Sequence, residues 1–241
     1  MANARTEGRA KASARYHHGD LRAALLAAGE AELAERGVEG FSLRGAAARA
    51  GVSHAAPAHH FGDADGLLTA LAAEGFTRFA AAMRRRQAAL EAGGEGSDQR
   101  AILDSDRRNR PGAIDGAGLG YIDFARAHPA LFRLMFASQR PDFADSALRA
   151  AAEDAFDILA GAVGAARGAG PWADEAGPAD VAAAWALAHG LADLLLSNRL
   201  QFLRGAMETD PDGTALAIMR RLVLCAPEAE AGAGCARLGG S

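Results

Sequence analysis

Apolar residues along this chain recur mainly at three- and four-residue spacing, in segments separated by Gly, Pro and Asp. That period is the signature of amphipathic helices. From about Asp20 to Arg36, Leu25, Leu26, Ala28, Gly29 and Leu33 fall on one stripe, with Gly19-Asp20 as the entry and Gly37 as the stop. A second helix is expected after Ser42, a good N-cap, with Phe41 and Ala46 placed as a hydrophobic staple and Gly51 free to take the left-handed turn. A third is expected from an N-cap at Ser53 to about Phe61, with Pro57 in its first turn, where the missing N–H costs little. After a break at Gly62-Asp63, a fourth should run from Asp63 to about Leu90, burying Leu68, Leu71, Phe76, Phe79 and Met83. At 1.5 Å per residue that is roughly 42 Å, long enough to join two domains.

Residues 93–118, rich in Gly and mixed charge, read as a loop or linker. Gly118–Ala137 is apolar at helical spacing and is divided by Pro129, which ends one helix near His128 and begins another. Further helices are expected at about Ala144–Ala166, Pro178–Leu203 and Thr214–Cys225, with loop at 167–177. The ends, 1–16 and 227–241, read as a disordered basic arm and a disordered tail.

Composition sharpens this to an all-α fold. Half of the 241 residues are hydrophobic, but 63 are Ala and only 6% are aromatic. Ala has the best intrinsic helix propensity, and the scarcity of Val, Ile and Thr argues against a sandwich or barrel. No apolar run reaches the roughly 18 residues of a membrane span, and the N-terminus lacks the apolar stretch of a secretory signal. Two cysteines, Cys225 and Cys235, cannot make a disulfide framework or a four-ligand zinc site, so a reducing cytoplasm is the simplest setting.

The net charge is −4. It is unevenly spread: residues 1–60 hold eight basic and six acidic side chains, the remainder 18 and 24. A basic arm ahead of a small helical unit on an acidic body suits a nucleic-acid-binding end on a carrier domain, but so small an excess of charge, taken alone, favours a solvated tail.

The sharpest local signal is Ser42–Phe61, SLRGAAARAGVSHAAPAHHF. An eight-residue helix, the turn Gly51-Val52-Ser53 and a second short helix make a helix-turn-helix. Its second helix would enter the major groove with its first residues toward base edges. A helical corner with a Gly turn produces the same pattern.

Here the sequence resembles a known family. AERGVEGFSLRGAAARAGVS, the HF of Ala58-His59-His60-Phe61, Gly62-Asp63 and Leu67-Leu68 look like the N-terminal domain of the tetracycline-repressor (TetR) family of bacterial regulators. Tyr16–Arg22 and Val52–Pro57 resemble one branch, which carries a Trp-x-x-x-His-Gly signature in its C-terminal domain. This chain has Trp185-Ala186-Leu187-Ala188-His189-Gly190, and also HPALFRLMF at His128–Phe136. Two positions depart from the pattern: Ala58 stands where the family usually has Tyr, and Ala64 where it usually has Lys, both phosphate contacts.

The resemblance implies a DNA-binding domain at 17–80 and a ligand-binding, dimerising body at 81–226. Carried over by position, Arg44, His54, Ala55 and Ala56 face bases. Arg44 can bond guanine O6 and N7, and the two alanines can touch a thymine methyl. His59 and His60 face phosphate, while Ser42 and Ser53 mainly cap. A solvated surface charge is the competing reading of Arg44, and packing beneath the turn that of His60. In the family the last two long helices pair across a two-fold axis, which puts Leu187, Leu191, Leu194, Leu216, Met219 and Val223 at the dimer interface.

Phe124, His128, Phe132, Met135 and Phe136 gather the scarce aromatics on one segment, and Trp185 and His189 share a helix face. Such groups with a few polar tips make a small-molecule pocket, although stripes of this kind are more often core. His189 is the best pocket candidate, since a buried imidazole needs a partner.

No metal or other cofactor is expected. His54 and His59 lie about 140° apart around a helix, and no H-E-x-x-H pattern, phosphate loop or nucleophile elbow occurs. The reading is therefore not an enzyme but a ligand-responsive repressor, acting as a cytoplasmic homodimer on a palindromic operator in double-stranded DNA, with a small-molecule effector and no membrane partner. A helical small-molecule-binding module whose DNA-binding end has degenerated is the alternative that Ala58 and Ala64 support.

Overall fold

The computed structural model describes residues 21–95 and 112–221. The basic arm, the word Tyr16–Asp20, the middle of the 93–118 linker, Val223, both cysteines and the tail lie outside the described residues. Among the described residues the chain is all helical: α1 (Leu21–Gly40), α2 (Leu43–Ala50), α3 (Ala55–Phe61), α4 (Ala64–Glu95), α5 (Ala113–Ala127), α6 (Pro129–Ala137), α7 (Ser146–Arg167), α8 (Gly177–Leu196), α9 (Arg204–Thr209) and α10 (Pro211–Met219).

Local chemistry sets most of these boundaries. Gly37 breaks the helical geometry of α1 with φ 67°. Ser42 caps α2 by accepting from the Gly45 N–H, and Gly51 closes it in the left-handed conformation at φ 68°. Phe41 and Ala46 are both buried, as a staple requires. Asp63 caps α4 by accepting from the Gly66 N–H. Pro129 opens α6, and His128 between the two helices leaves helical geometry at φ −131°, ψ 57°.

Several boundaries differ from the pattern-based expectation. Ser53 is not the cap of α3: that position is His54, without a side-chain hydrogen bond, and Ser53 only accepts from the Ala56 N–H through its carbonyl. Part of the expected loop is helix, because α4 continues to Glu95 and α5 begins at Ala113. There Asp115 folds back to accept from the Gly112 N–H and also holds Arg220, 105 residues away, at 3.0 Å. The α8 helix ends at Leu196 rather than Leu203, since Asn198 takes a positive φ of 54°. A 3-10 turn and α9 then occupy what was expected to be its last turn and the following loop, and α10 starts at Pro211 rather than Thr214.

By length and composition α8 is long and apolar enough to cross a membrane, which the sequence pattern does not suggest because Asp180 and Asp193 interrupt the run. Here 33% of that stretch is buried inside the fold, and Asp180 sits 2.7 Å from the guanidinium of Arg167.

One continuous core runs from α1 and α2 through α4 into α5, α6, α7 and α8. The most extensive contacts are those of α4 with α5 and α7. The helix that carries the N-terminal unit is thus also the spine of the body. Glycines let α5 lie directly on it: a Cβ at Gly116 would meet the Gln87 Cα at 2.6 Å, and one at Gly120 the Met83 Cα at 2.5 Å. The arrangement is an N-terminal helix-turn-helix unit joined by a long helix to a C-terminal helical body.

Candidate functional site: a helix-turn-helix edge and an apolar cavity

The helix-turn-helix is fixed from beneath. Glu32 of α1 is buried and accepts from Arg49 Nε of α2 at 2.7 Å. Arg49 also pairs with Glu35, and these two carboxylates hold its guanidinium pKa above the ordinary value. Glu32 lies so close under α2 that a Cβ at Gly45 would meet its Oε1 at 2.0 Å, so a larger residue there would push that carboxylate away from Arg49. Pro57 on α3 is fully buried, anchoring that short helix through its inner face. From the sequence Arg49 reads only as another basic residue. Its partners lie 14 and 17 residues away, on a different helix.

The outer edge is open. Arg44, Ser53, His54, Ala55, His59 and His60 are exposed, and Ser42 and Ala56 half-buried. Arg44 makes no ion pair with any other described residue, unlike Arg49 beside it. His60 touches the rings of His59 and Phe61 at 5.8 and 6.1 Å but stays at the surface, so it is not packed beneath the turn. Ala58 is exposed and Ala64 half-buried, one before and one after the break at Gly62. No three described His, Cys, Asp or Glu side chains come together as a metal site.

A second feature lies in the body: an open-mouthed cavity of about 480 Å³ lined by α4, α5, α6, α7, α8 and the segment between α6 and α7. Of the residues expected to line a pocket, Met135, Phe136 and Trp185 do so. Phe124 and Phe132 are buried in the packing behind it. His128 turns the other way, toward α1, with Nδ1 3.4 Å from Glu30. His189 reaches the cavity wall through Tyr121, whose hydroxyl lies 2.8 Å from its Nδ1 and also accepts from Trp185 Nε1 at 3.3 Å. The shared face of Trp185 and His189 thus converges on one oxygen. Burial pushes the pKa of that hydroxyl well above an ordinary phenol, while the Trp185 hydrogen bond pulls the other way.

Sequence reasoning missed Tyr121 as a polar tip, and Phe143 and Phe156 as lining. Tyr121 sits in an apolar helical stripe, and the other two come from different segments that only the fold brings together.

The segment between α6 and α7 touches both features. Phe143 lines the cavity. Three residues earlier, Arg140 donates to the Val38 carbonyl at the end of α1 and to Asp65 at the start of α4, each at 2.7 Å. The Asp142 N–H donates to Thr69 Oγ1 at 2.9 Å. Glu30 of α1 adds a further tie, since Arg78 of α4 donates to it at 2.7 Å.

Of the residues expected at a dimer interface, Leu191 is buried within the chain, and Leu216 and Met219 are half-buried against Leu119, Ile122 and Ala215. Leu187 is half-buried, while Leu194 is 42% exposed. On α8, Ala179, Ala182, Ala186 and Leu194 remain exposed along one side.

Two family models match the chain. Residues 25–71 match the model of bacterial regulatory proteins of the tetR family, and residues 114–222 that of the tetracyclin repressor-like C-terminal domain. A structure of a protein with unknown function from Rhodococcus sp. RHA1 is 32% identical, covers 86% of this chain and 98% of its own, and superposes with a TM-score of 0.60. The structure of a protein assigned to the tetR family of transcription regulators, from Shewanella sp. PV-4, is 17% identical over 83% of this chain and 96% of its own, at a TM-score of 0.56. The second likeness carries the fold alone. A search of curated proteins finds no match. The two models take up the helix-turn-helix and the helical body in that order, over the elements seen in the structure, and on them this chain belongs to the TetR family of bacterial DNA-binding transcriptional regulators.

Proposed function

We propose that this regulator is a ligand-responsive repressor that acts as a homodimer on a palindromic operator. The observation that carries the DNA-binding part is the open edge of the helix-turn-helix: Arg44, His54 and Ala55 at the surface, Ala56 half-buried beside them, over an anchored underside. Arg44 reads a guanine, His54 donates to a base acceptor, and the alanines contact a thymine methyl. His59 and His60 lie toward phosphate, and Ser42 holds the start of α2. With Ala58 and Ala64 in place of two phosphate-binding side chains, each half-site is weakly anchored. Two half-sites about 34 Å apart, or a multiple of that, supply the missing affinity together.

The exposed alanine-rich side of α8, with Leu187 and Leu194, supports pairing of two copies through this helix and the chain end. The cavity supports an effector site, within a body that starts near residue 81. Ligand there acts through its different affinity for two spacings of the recognition helices. The route is α4 together with the Phe143–Arg140 segment, which leads from the cavity wall to the ends of α1 and α4. Access to chromosomal DNA places the protein in the cytoplasm.

A gel-shift titration on the chain's own upstream DNA, at low ionic strength, tests the first step. Arg44→Ala and His54→Ala should each weaken specific binding, with loss of a bidentate Arg contact costing about 1–3 kcal/mol, while circular dichroism shows the helical fold intact. If the parent protein ignores that DNA yet binds small molecules, the degenerate-module alternative holds instead.

A further inference from the structure

The lining of the cavity is selective by charge. Its walls are the rings of Phe76, Phe79, Phe136, Phe143, Phe156 and Trp185, with aliphatic carbon between them. Among the described residues no Lys, Arg or His side chain lines it. An anionic ligand would leave water without a cation to meet it, which protein interiors strongly disfavour. The acidic group on the lining is Glu153, whose side chain is 69% exposed and lies 3.8 Å from the guanidinium of Arg149. Glu153 is thus already paired and stays in solvent, so a buried cation would meet ring faces but no buried carboxylate among the described residues.

Among the described lining residues the other oxygen-bearing side chain is Tyr121, with its hydroxyl. An oxygen with one proton and two lone pairs supports three hydrogen bonds, and Trp185 and His189 take two of them. If His189 Nδ1 accepts, the oxygen keeps a lone pair; if Nδ1 carries the proton, the hydroxyl keeps its donor. A ligand hydroxyl, both donor and acceptor, completes either arrangement. Phe143 and Trp185, 44% and 40% exposed, mark the mouth. A volume of about 480 Å³ lies within the range of small-molecule sites.

We infer that this cavity takes a neutral, aromatic ligand bearing a single hydroxyl, which bonds to Tyr121. The inference rests on the reading of the cavity as the effector site.

The test uses the full chain and one ring system in different charge states. N-phenyl-1-naphthylamine reports cavity occupancy by fluorescence, and 1-naphthalenemethanol, 1-naphthylmethylammonium, 1-naphthoate and 1-methylnaphthalene compete with it. The alcohol should displace the probe at about tenfold lower concentration than either ion, from the cost of burying an unpaired charge. It should also outcompete the hydrocarbon by several-fold, and Tyr121→Phe should erase that margin while 1-methylnaphthalene binds as before. Equal or tighter binding of either ion, a hydroxyl margin that survives Tyr121→Phe, or no saturable binding of any naphthalene overturns the inference. A second readout separates the two levels. If the alcohol binds as expected but saturated protein stays on its operator, the ligand class stands and the effector reading falls.

Discussion

Replacing Gly120 by alanine adds one methyl group where α5 lies on α4. The new carbon would sit 2.5 Å from the Met83 Cα and 2.6 Å from the Ala82 carbonyl oxygen. Ordinary contact begins near 3.4 Å, so the helices must part by about 1 Å in an interior packed like a crystal. The obstructing atoms are backbone, and no rotamer change relieves the clash. In an open helix the same substitution stabilises by about 1 kcal/mol. Overpacking costs about 1–3 kcal/mol, and rigid backbone on both sides puts this site at the upper end, leaving a net loss of about 2 kcal/mol. Gly161 of α7 is the internal control. An added Cβ there meets nothing within 4 Å, so Gly161→Ala should gain up to about 1 kcal/mol. Urea unfolding followed by helical circular dichroism, at one fixed protein concentration, measures both. The chemical change is identical and the expected signs are opposite. A Gly120→Ala protein as stable as its parent would refute the close α4–α5 crossing. Because Tyr121 is the next residue, parting the helices also shifts the hydroxyl from Trp185 and His189, and cavity binding should weaken alongside stability.

Two further outcomes are expected. Arg140→Ala removes the bonds from the cavity-side segment to the Val38 carbonyl and Asp65, so the ratio of operator affinities with and without ligand should fall about fivefold or more. Ligand binding itself should stay nearly unchanged, and an unaltered ratio would rule out this segment as the route. Burial holds the Tyr121 hydroxyl above its unfolded pKa of 10.0. Its contribution is therefore fully present below about pH 10 and is lost as the pH rises toward the folded value. Denaturant midpoints measured across alkaline pH should decline in the parent, and the decline should flatten in Tyr121→Phe.

What the chain order determined alone is local. Ser42, Gly51, Gly62 and Pro129 each act on backbone groups within a few residues, so the helix-turn-helix and the division at His128 are readable without a fold. The resemblance of the same stretch to the regulator family rests on this contiguous run. Signals that are merely statistical misled: Ser53 is a good cap by type, yet the turn before α3 leaves that position to His54. The Gly-rich stretch from residue 93 reads as loop, yet α4 runs on to Glu95.

Tertiary structure decided the rest, because it depends on groups far apart in the chain. Glu32 finds Arg49 across 17 residues, and Arg140 finds Val38 across 102. The cavity draws its walls from five helices and a connecting segment, so Phe143 and Phe156 gain a role only when the helices assemble. His128 and His189 looked alike as polar tips on aromatic stripes. One faces Glu30 of the DNA-binding unit and the other Tyr121 of the cavity. Helical periodicity says which residues share a face; what that face meets is set by how the helices cross, and long-range packing alone supplies that.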